Sequence, residues 1–296
     1  MNLQLLVPEG HLLESSLLDY QKAFGSQLSP SFYTDEKSAF EEIQKENFDL
    51  VAITDRLVYA LQRQKLLAHL PIDKKLLPRV DHKFLYHYYD QSNHYCWPYG
   101  WTLLGIGFPK ETGSKMYPTR WSELRSPLYT LYTIDYPQDS LLKGLIIQSI
   151  DKTSLGKTSS FGGEKLVVQN KPTSPLPIRI DTISELLKTN EKAKKMIIYL
   201  PKEYSWITIF HWAIPRSAAN IERIKESLLF LCSPQEQAAI ISTNWLGAVS
   251  PDTYTMTPEY QRQSPLLYPP EAYLNQCRFF RIDDAYTDKK IRQPTG

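Results

Sequence analysis

Cysteine is scarce in this chain, and its placement excludes several kinds of chemistry. The 296 residues include three cysteines, Cys96, Cys232 and Cys277, which lie far apart in the sequence. They form no CxxC pair and no cysteine–histidine spacing typical of a zinc site. At most one disulfide could form, and free cysteines usually pack as small apolar side chains. We therefore expect three separate, mostly buried thiols and no metal site.

The charge balance and the lack of long apolar runs exclude two kinds of partner. The formal net charge is +2 and the basic residues are scattered, so we expect no nucleic-acid partner. No stretch approaches the roughly 20 apolar residues that a membrane span needs. Met1 leads directly into a predicted strand, so we predict no signal peptide in this sequence. Taken alone, these features are typical of a cytosolic protein.

Motifs of catalysis and of nucleotide binding are incomplete or missing. Gly105-Ile106-Gly107 lacks the rest of a dinucleotide fingerprint, and Gly156-Lys157 lacks the upstream glycine of a phosphate loop. No nucleophile elbow is present. The histidines of one aromatic segment have a spacing that fits no regular helix face: His82, His87 and His94. The sequence therefore predicts neither an enzyme nor a protein with a bound cofactor.

The amino-terminal part of the chain alternates between strand and helix patterns. The predicted order is strand 2–7, helix 13–24, strand 27–33, helix 36–45 and strand 47–54. This alternation predicts right-handed crossovers and a mostly parallel sheet. Ligands of such sheets bind beyond the carboxyl ends of the strands. We therefore expect residues 8–11 and 54–57 to lie at a cleft.

A second group of elements is predicted further along the chain. Met196–Leu200 has the composition of a buried strand, and Trp206–Ile214 is rich in aromatic and β-branched residues. Asn220 is a predicted N-cap for a helix over residues 221–232. Another helix is predicted over residues 235–243. The chain is therefore expected to be of the α/β class throughout.

Several motifs occur in an order that resembles a known family. They are DLVAITD at 49–55, LLAHLPIDKKLLP at 66–78, YCWPYGWTLLGIGF at 95–108, RWSEL at 120–124, and the run from PKE at 201–203 to SPQEQ at 233–237. Together they resemble the bacterial extracellular solute-binding proteins of ABC importers. Within that group the chain is most similar to the spermidine/putrescine-binding proteins. One departure is Thr102, where the family has a glycine.

The resemblance implies a two-lobed, type II-like periplasmic-binding-protein fold, with mixed sheets, flanking helices and a ligand cleft between the lobes. Residues 1–108 and 209–252 would form the first lobe, and residues 109–208 and 253–296 the second. The implied function is capture of a small solute, a polyamine at first guess, for an ABC permease in the inner membrane. The protein would act as a monomer. It would be periplasmic, or membrane-anchored and extracytoplasmic, with its signal sequence absent from this chain.

A polyamine site needs carboxylates for the amines and aromatic faces for the methylene groups. The resemblance places the ligand contacts at Glu9, Thr54, Asp55, Arg56, Asp135, Asp139, Asp181, Thr208, Phe210 and Trp245. Asp135 alone matches the family pattern cleanly. Arg56 and Phe210 stand where the family has an aromatic residue and a carboxylate. Three aspartates could restore negative charge from new positions: Asp55, Asp139 and Asp181.

These departures leave alternatives open. Arg56 could bind an anionic solute through a bidentate contact, or it could pair with Asp55 or Glu9 inside the protein. The three aspartates could instead be turn, cap or first-turn helix residues, and Trp245 could be a core residue. The chain could also be a degenerate binding-protein fold that has lost its ligand and serves as an interaction or sensor protein.

Overall fold

The structure, a computed structural model, describes residues 2–73, 75, 77–110, 117–126, 129, 132–140, 142–147 and 177–280. The strands are β1 Leu3–Pro8, β2 Leu28–Tyr33, β3 Leu50–Thr54, β4 Cys96–Pro109, β5 Ile134–Asp135, β6 Ile178–Thr182, β7 Met196–Tyr199, β8 Trp206–Ala213 and β9 Arg278–Phe279. The α-helices are α1 Glu14–Phe24, α2 Glu36–Lys45, α3 Asp55–Arg63, α4 Ile183–Ala193, α5 Ile221–Leu231, α6 Pro234–Asn244, α7 Pro251–Met256, α8 Glu259–Arg262 and α9 Glu271–Leu274. Short 3₁₀ turns occupy His82–Phe84 and Trp121–Arg125, and residues 142–147 are also helical. None of the described helices is long and apolar enough to cross a membrane.

The described strands join in one mixed sheet with the order β2-β1-β3-β8-β4-β6-β5. Strands β2 and β3 both pair with β1 in parallel, which confirms the prediction for the amino-terminal part. Strand β8 is antiparallel to both of its long neighbours, β3 and β4. The sheet is therefore mixed, as the predicted fold class requires.

Strand β4 belongs to two parts of this sheet. Its Leu103 pairs with Ile207 of β8, whereas the next residue, Leu104, pairs with Thr182 of β6. Strand β7 pairs with the same end of β4. We call the part with β1, β2, β3 and β8 the first sheet region, and the part with β5, β6 and β7 the second sheet region. The chain crosses between the regions along β4 and returns at β8.

Three clusters of buried apolar side chains flank the sheet. Leu5 and Leu6 of β1 belong to different clusters, because successive side chains of a strand point to opposite faces. The third cluster belongs to the second sheet region and joins Ile106 and Ile180 to Trp121. The lobe boundaries at residues 108, 208 and 252 stay predictions, and residues 281–296 of the second lobe lie outside the described residues.

Helix boundaries follow local capping signals. Helix α2 begins and ends where it was predicted. Its start is fixed by the Asp35 side chain, which accepts the N–H groups of Lys37 and Ser38. Helix α1 ends at Gly25, whose φ of 62° is a left-handed conformation that glycine adopts without strain. Asn220 caps α5 by accepting the N–H of Arg223. These three predictions are confirmed.

One local prediction was wrong. Strand β7 was expected to be buried, but Ile197 is 38% exposed. Among the described strands it pairs with β4 alone, so it lies at an edge of the sheet. Helix α3 was not predicted from the sequence; Thr54 caps it, and it begins at Asp55.

Candidate functional site

The candidate site lies at the carboxyl ends of β2 and β3, where helices α2 and α3 begin. Both strands run parallel to β1, so the two helices start at the same edge of the sheet. The middle of β8 runs along this edge, because Thr54 pairs with Phe210. Asp139, which follows β5, also reaches the edge, since its Oδ2 accepts the N–H of Glu36 at 2.7 Å. The site therefore combines groups from both sheet regions.

Arg56 is the central charged residue of the site, and it is 2% exposed. Its Nε and Nη2 donate to the two carboxylate oxygens of Glu36 at 3.1 and 2.5 Å. Its Nη1 donates to Oγ1 of Thr208 at 2.8 Å. Burial lowers the pKa of Arg56, but Glu36 and Asp55 raise this pKa by more, so the guanidinium stays charged. The Nε, Nη1 and Nη2 atoms of Arg56 therefore each donate a hydrogen bond to another side chain of the protein.

Asp55 is fully buried beside Arg56. Its Oδ1 accepts the N–H of Ile209 at 3.1 Å, and its Oδ2 has no hydrogen-bond partner within the described part of the chain. Burial raises the pKa of Asp55 to about 6, against the opposing effects of Arg56 and of the Ile209 N–H. Thr54 accepts the N–H of Leu57 at 3.4 Å and so has a capping role.

Asp35 and Asp139 link the N-termini of two helices. Asp139 accepts the N–H of Glu36 through Oδ2 and that of Leu142, at 2.6 Å, through Oδ1. Asp35 caps α2 through Oδ1 and accepts the N–H of Ser140 through Oδ2 at 2.8 Å. Each carboxylate therefore caps its own helix and the opposite one, which satisfies backbone donors that a helix leaves unpaired. Leu142 packs in the cluster of the second sheet region, so these bonds connect the two regions.

The pKa of Asp139 leads to a prediction about pH. Burial, and then the charge of Glu36, raise this pKa from 3.8 to about 7, against the effects of Arg56 and the two N–H donors. The folded protein therefore binds a proton at this site that the unfolded chain releases near pH 4. The resulting stabilisation is fully present below about pH 4 and is lost as the pH rises through about 7.

Replacing Asp139 by asparagine should remove this contribution. We expect the free energy of unfolding to fall less steeply between pH 4.5 and 8 in Asp139→Asn than in the wild type, measured by urea denaturation. Asp19→Asn serves as the control, because Asp19 is a surface residue whose side chain is 55% exposed. Parallel pH profiles of the wild type and Asp139→Asn would contradict the assignment.

Aromatic rings form a second feature of the site. Nδ1 of His11 lies 2.6 Å from the hydroxyl oxygen of Tyr99, and the ring centres of His11 and Phe210 are 4.7 Å apart. Burial, and then the charge of Lys188, lower the pKa of His11 to about 3, so its imidazole is neutral at pH 7. Phe210 is the member of this group that stays partly exposed. It is therefore the ring of this group that solvent can partly reach.

Trp245 is half-buried and directly follows α6, with a φ of 53°. Its Nε1 donates to Oε2 of Glu191 in α4 at 3.4 Å, and its ring centre lies 5.7 Å from that of Tyr260. The apolar side of the residue packs against the core of the first sheet region. Trp245 thus combines a structural role with a partly accessible ring.

Three other predicted acidic residues have different surroundings. Asp181 is buried and accepts hydrogen bonds from Nη2 of Arg179 and from the N–H of Thr182, both at 2.8 Å. Burial raises the pKa of Asp181 to about 6, against the charge of Arg179. Asp135 ends β5 and Glu9 follows β1, and both are exposed. Asp181 is therefore engaged within the protein, whereas Asp135 and Glu9 present carboxylates to solvent.

The main ion-pair partner of Arg56 was not predicted from the sequence. The sequence suggests Asp55 or Glu9 as its partner, but the salt bridge in the structure is with Glu36. Asp55 acts on Arg56 through its charge. A usable signal was present, because Glu36 follows a strand that runs parallel to β1. Ligand-binding groups lie beyond the carboxyl ends of parallel strands, so the end of the second strand was as good a candidate as those of the first and third.

The candidate site contains carboxylates and aromatic rings. Within the described residues, no group of three or more His, Cys, Asp or Glu side chains is arranged to hold a metal ion. The three cysteines form no disulfide, and two of them are buried, which confirms the prediction of separate, mostly buried thiols: Cys96, Cys232 and Cys277.

Comparison with solved structures finds the two-lobed fold of periplasmic solute-binding proteins. The chain matches the spermidine/putrescine ABC transporter substrate-binding protein PotD from Streptococcus pneumoniae with a TM-score of 0.78, over 96% of this chain and 94% of that one, at 14% identity. It matches the TpPotD lipoprotein of Treponema pallidum with a TM-score of 0.71, over 94% of each chain, at 15% identity. Iron-bound HitA from Pseudomonas aeruginosa matches with a TM-score of 0.61, over 85% of this chain and 87% of that one, at 12% identity. No family model and no curated protein matches the sequence.

These matches confirm the predicted fold class and the resemblance from which it came. The alignments with the two PotD proteins span nearly the whole of both chains. The ligands of these proteins differ, since one is named as a spermidine/putrescine-binding protein and another is bound to iron. At identities of this size the likeness therefore shows the fold and leaves the solute to be argued from the site.

Proposed function

We propose that this protein is the solute-binding component of an ABC importer. It captures a small solute between the two sheet regions and delivers it to a permease in the inner membrane, without chemistry on the solute. The observation that carries the proposal is the fold match over nearly the full chain. The protein acts as a monomer in the periplasm, or tethered outside the membrane.

The connections between the sheet regions support this function. Strand β4 runs from the first region into the second, and the chain returns to the first region at the start of β8, which pairs with Cys96 to Leu103 of β4. Such paired connections can absorb a bend while each region keeps its own core. Hinge bending of this kind closes two-lobed binding proteins around a ligand.

Polyamines are the first solutes to test. The acidic residues Glu9 and Asp135 are exposed, and Phe210 and Trp245 are half-buried aromatic residues. Carboxylates and aromatic faces are the groups that bind ammonium ions and methylene chains. Because Asp139 already accepts two N–H groups, amine recognition in this proposal depends on the exposed pair.

Isothermal titration with spermidine and with putrescine tests the proposal. We expect saturable binding, weakened about tenfold or more in Glu9→Gln and in Asp135→Asn, because a hydrogen bond to a charged group contributes about 1.5–3 kcal/mol. Glu46→Gln is the matched control, since Glu46 is exposed at the C-terminal end of α2, at the opposite end of that helix from the strand ends. No heat with either polyamine rejects them as solutes, and a thermal-shift screen of small cations and anions then tests solute capture itself.

The ion pair of Arg56 with Glu36 affects the two alternative functions, an anion-binding protein and an interaction or sensor protein. An anionic solute bound by Arg56 would have to displace a buried, bidentate Glu36, so the geometry disfavours that function. The same engagement favours the interaction or sensor function as a second candidate, because the charged groups are satisfied without a solute. A folded protein that binds none of the screened solutes would support this second candidate.

A further inference from the structure

The groups around the guanidinium of Arg56 are those that a protein uses to bind an organic cation. Two oxygens of Glu36 and Oγ1 of Thr208 accept its N–H groups, and the ring centre of Phe280 lies 6.0 Å away. Carboxylates and an aromatic face recognise guanidinium and ammonium ions. We propose that Glu36, Asp55, Thr208 and Phe280 form a binding site for an organic cation, here called the cation site, which the chain fills with its own Arg56.

Asp55 supplies an independent indication of such a site. Its Oδ2 is fully buried and has no hydrogen-bond partner in the described part of the chain, although Arg56 is close enough for each to change the pKa of the other. A buried carboxylate oxygen without a donor is costly unless a cation lies nearby. Because Arg56 is tied to the same helix as Asp55, its guanidinium reaches Glu36 and leaves this oxygen unused. A separate cation in its place would be free to approach the oxygen.

The cation site lies where the two sheet regions meet. Glu36 begins α2, which packs through Phe40 in a cluster of the first sheet region. Phe280 belongs to the cluster of the second sheet region and stacks on Trp206, with ring centres 5.0 Å apart. Arg56 therefore holds the two regions together in the way that a bound solute would. This role requires no solute, so it goes beyond the proposed function.

Removal of the Arg56 side chain should leave a site that a small guanidinium compound can fill. We expect Arg56→Ala to bind ethylguanidinium and the wild type not to bind it, because the wild-type site is occupied. At about ten times its Kd, the compound should raise the Tm of Arg56→Ala by about 2–3 °C. Calorimetric titration gives the Kd directly.

Two controls isolate the charge and the position. Ethylurea has a similar shape without the charge, and it should not bind Arg56→Ala. Arg63→Ala removes an exposed arginine from the same helix, and ethylguanidinium should leave its Tm unchanged. A response to ethylurea, or an equal response in Arg63→Ala, would overturn the proposal.

Amide hydrogen exchange reports on the contact between the regions. The N–H groups of Glu36 and Leu142 both bond to Asp139, so they should exchange faster in Arg56→Ala and slow down again with ethylguanidinium. If Arg56→Ala does not stay folded alone, its refolding yield is compared in ethylguanidinium and in ethylurea. Equal yields, or an absence of binding by the folded variant, would reject the cation site. Failure of the wild type to bind polyamines leaves these outcomes unchanged.

Discussion

Arg56→Ala is expected to lower the free energy of unfolding by about 3–5 kcal/mol, which is the usual cost of removing one partner from a buried ion pair. The variant leaves the carboxylate of Glu36, which is 3% exposed, without its charged donors. It also removes the positive charge nearest to Asp55. Urea denaturation of both proteins at pH 7 measures the difference.

The double variant Glu36→Gln/Arg56→Met separates the cost of an unpaired charge from the value of the pair. Both buried charges are absent in it, and replacement of a buried ion pair by uncharged side chains is often neutral. We therefore expect it to regain most of the stability lost in Arg56→Ala. Arg63→Ala, on the exposed side of α3, should change the free energy by less than about 1 kcal/mol. A double variant no more stable than Arg56→Ala would show that the loss comes from packing.

Trp121→Ala should cost about 3–5 kcal/mol, as expected for truncation of a fully buried tryptophan. Trp121 is 0% exposed, its Nε1 donates to the carbonyl of Tyr204 at 2.9 Å, and its ring centre lies 5.1 Å from that of Trp206. All of these contacts lie in the cluster of the second sheet region. The loss should therefore concentrate in that region.

Hydrogen exchange of the Trp121→Ala variant tests whether the two sheet regions behave as separate lobes. Amides of β6 should lose protection, while those of β1 and β3 should keep it, since regions with separate cores can open separately. Tyr260→Ala is the control for aromatic truncation, because Tyr260 is 61% exposed. Equal loss of protection in all three strands would contradict the predicted division into lobes.

Much of the fold was predictable because its signals are local. The start of α2 follows from the side chain of Asp35, and the end of α1 follows from Gly25. The buried run of β4, 14 residues long, is visible in the sequence as a nearly continuous apolar stretch. The order of elements and motifs then indicated the fold, which the structural matches confirm.

The candidate site was predictable only in part. Thr54, Asp55 and Arg56 were placed correctly at a strand end, because parallel strands bring their carboxyl ends to one edge of a sheet. Their partners could not be read from the sequence. Asp139 caps a helix that begins 103 positions earlier in the chain, and Arg56 bonds to Thr208, 152 positions later.

The amino-acid sequence by itself determined the helices, the strands and their order, because spacing and caps act between residues a few positions apart. Only the tertiary structure decided that Arg56 would meet Glu36 rather than Asp55 or Glu9, and that Asp139 would cap α2. Those choices depend on how the two sheet regions pack against each other. A charged side chain buried at such a contact pairs with the group that the packing places next to it. No local sequence pattern specifies that group.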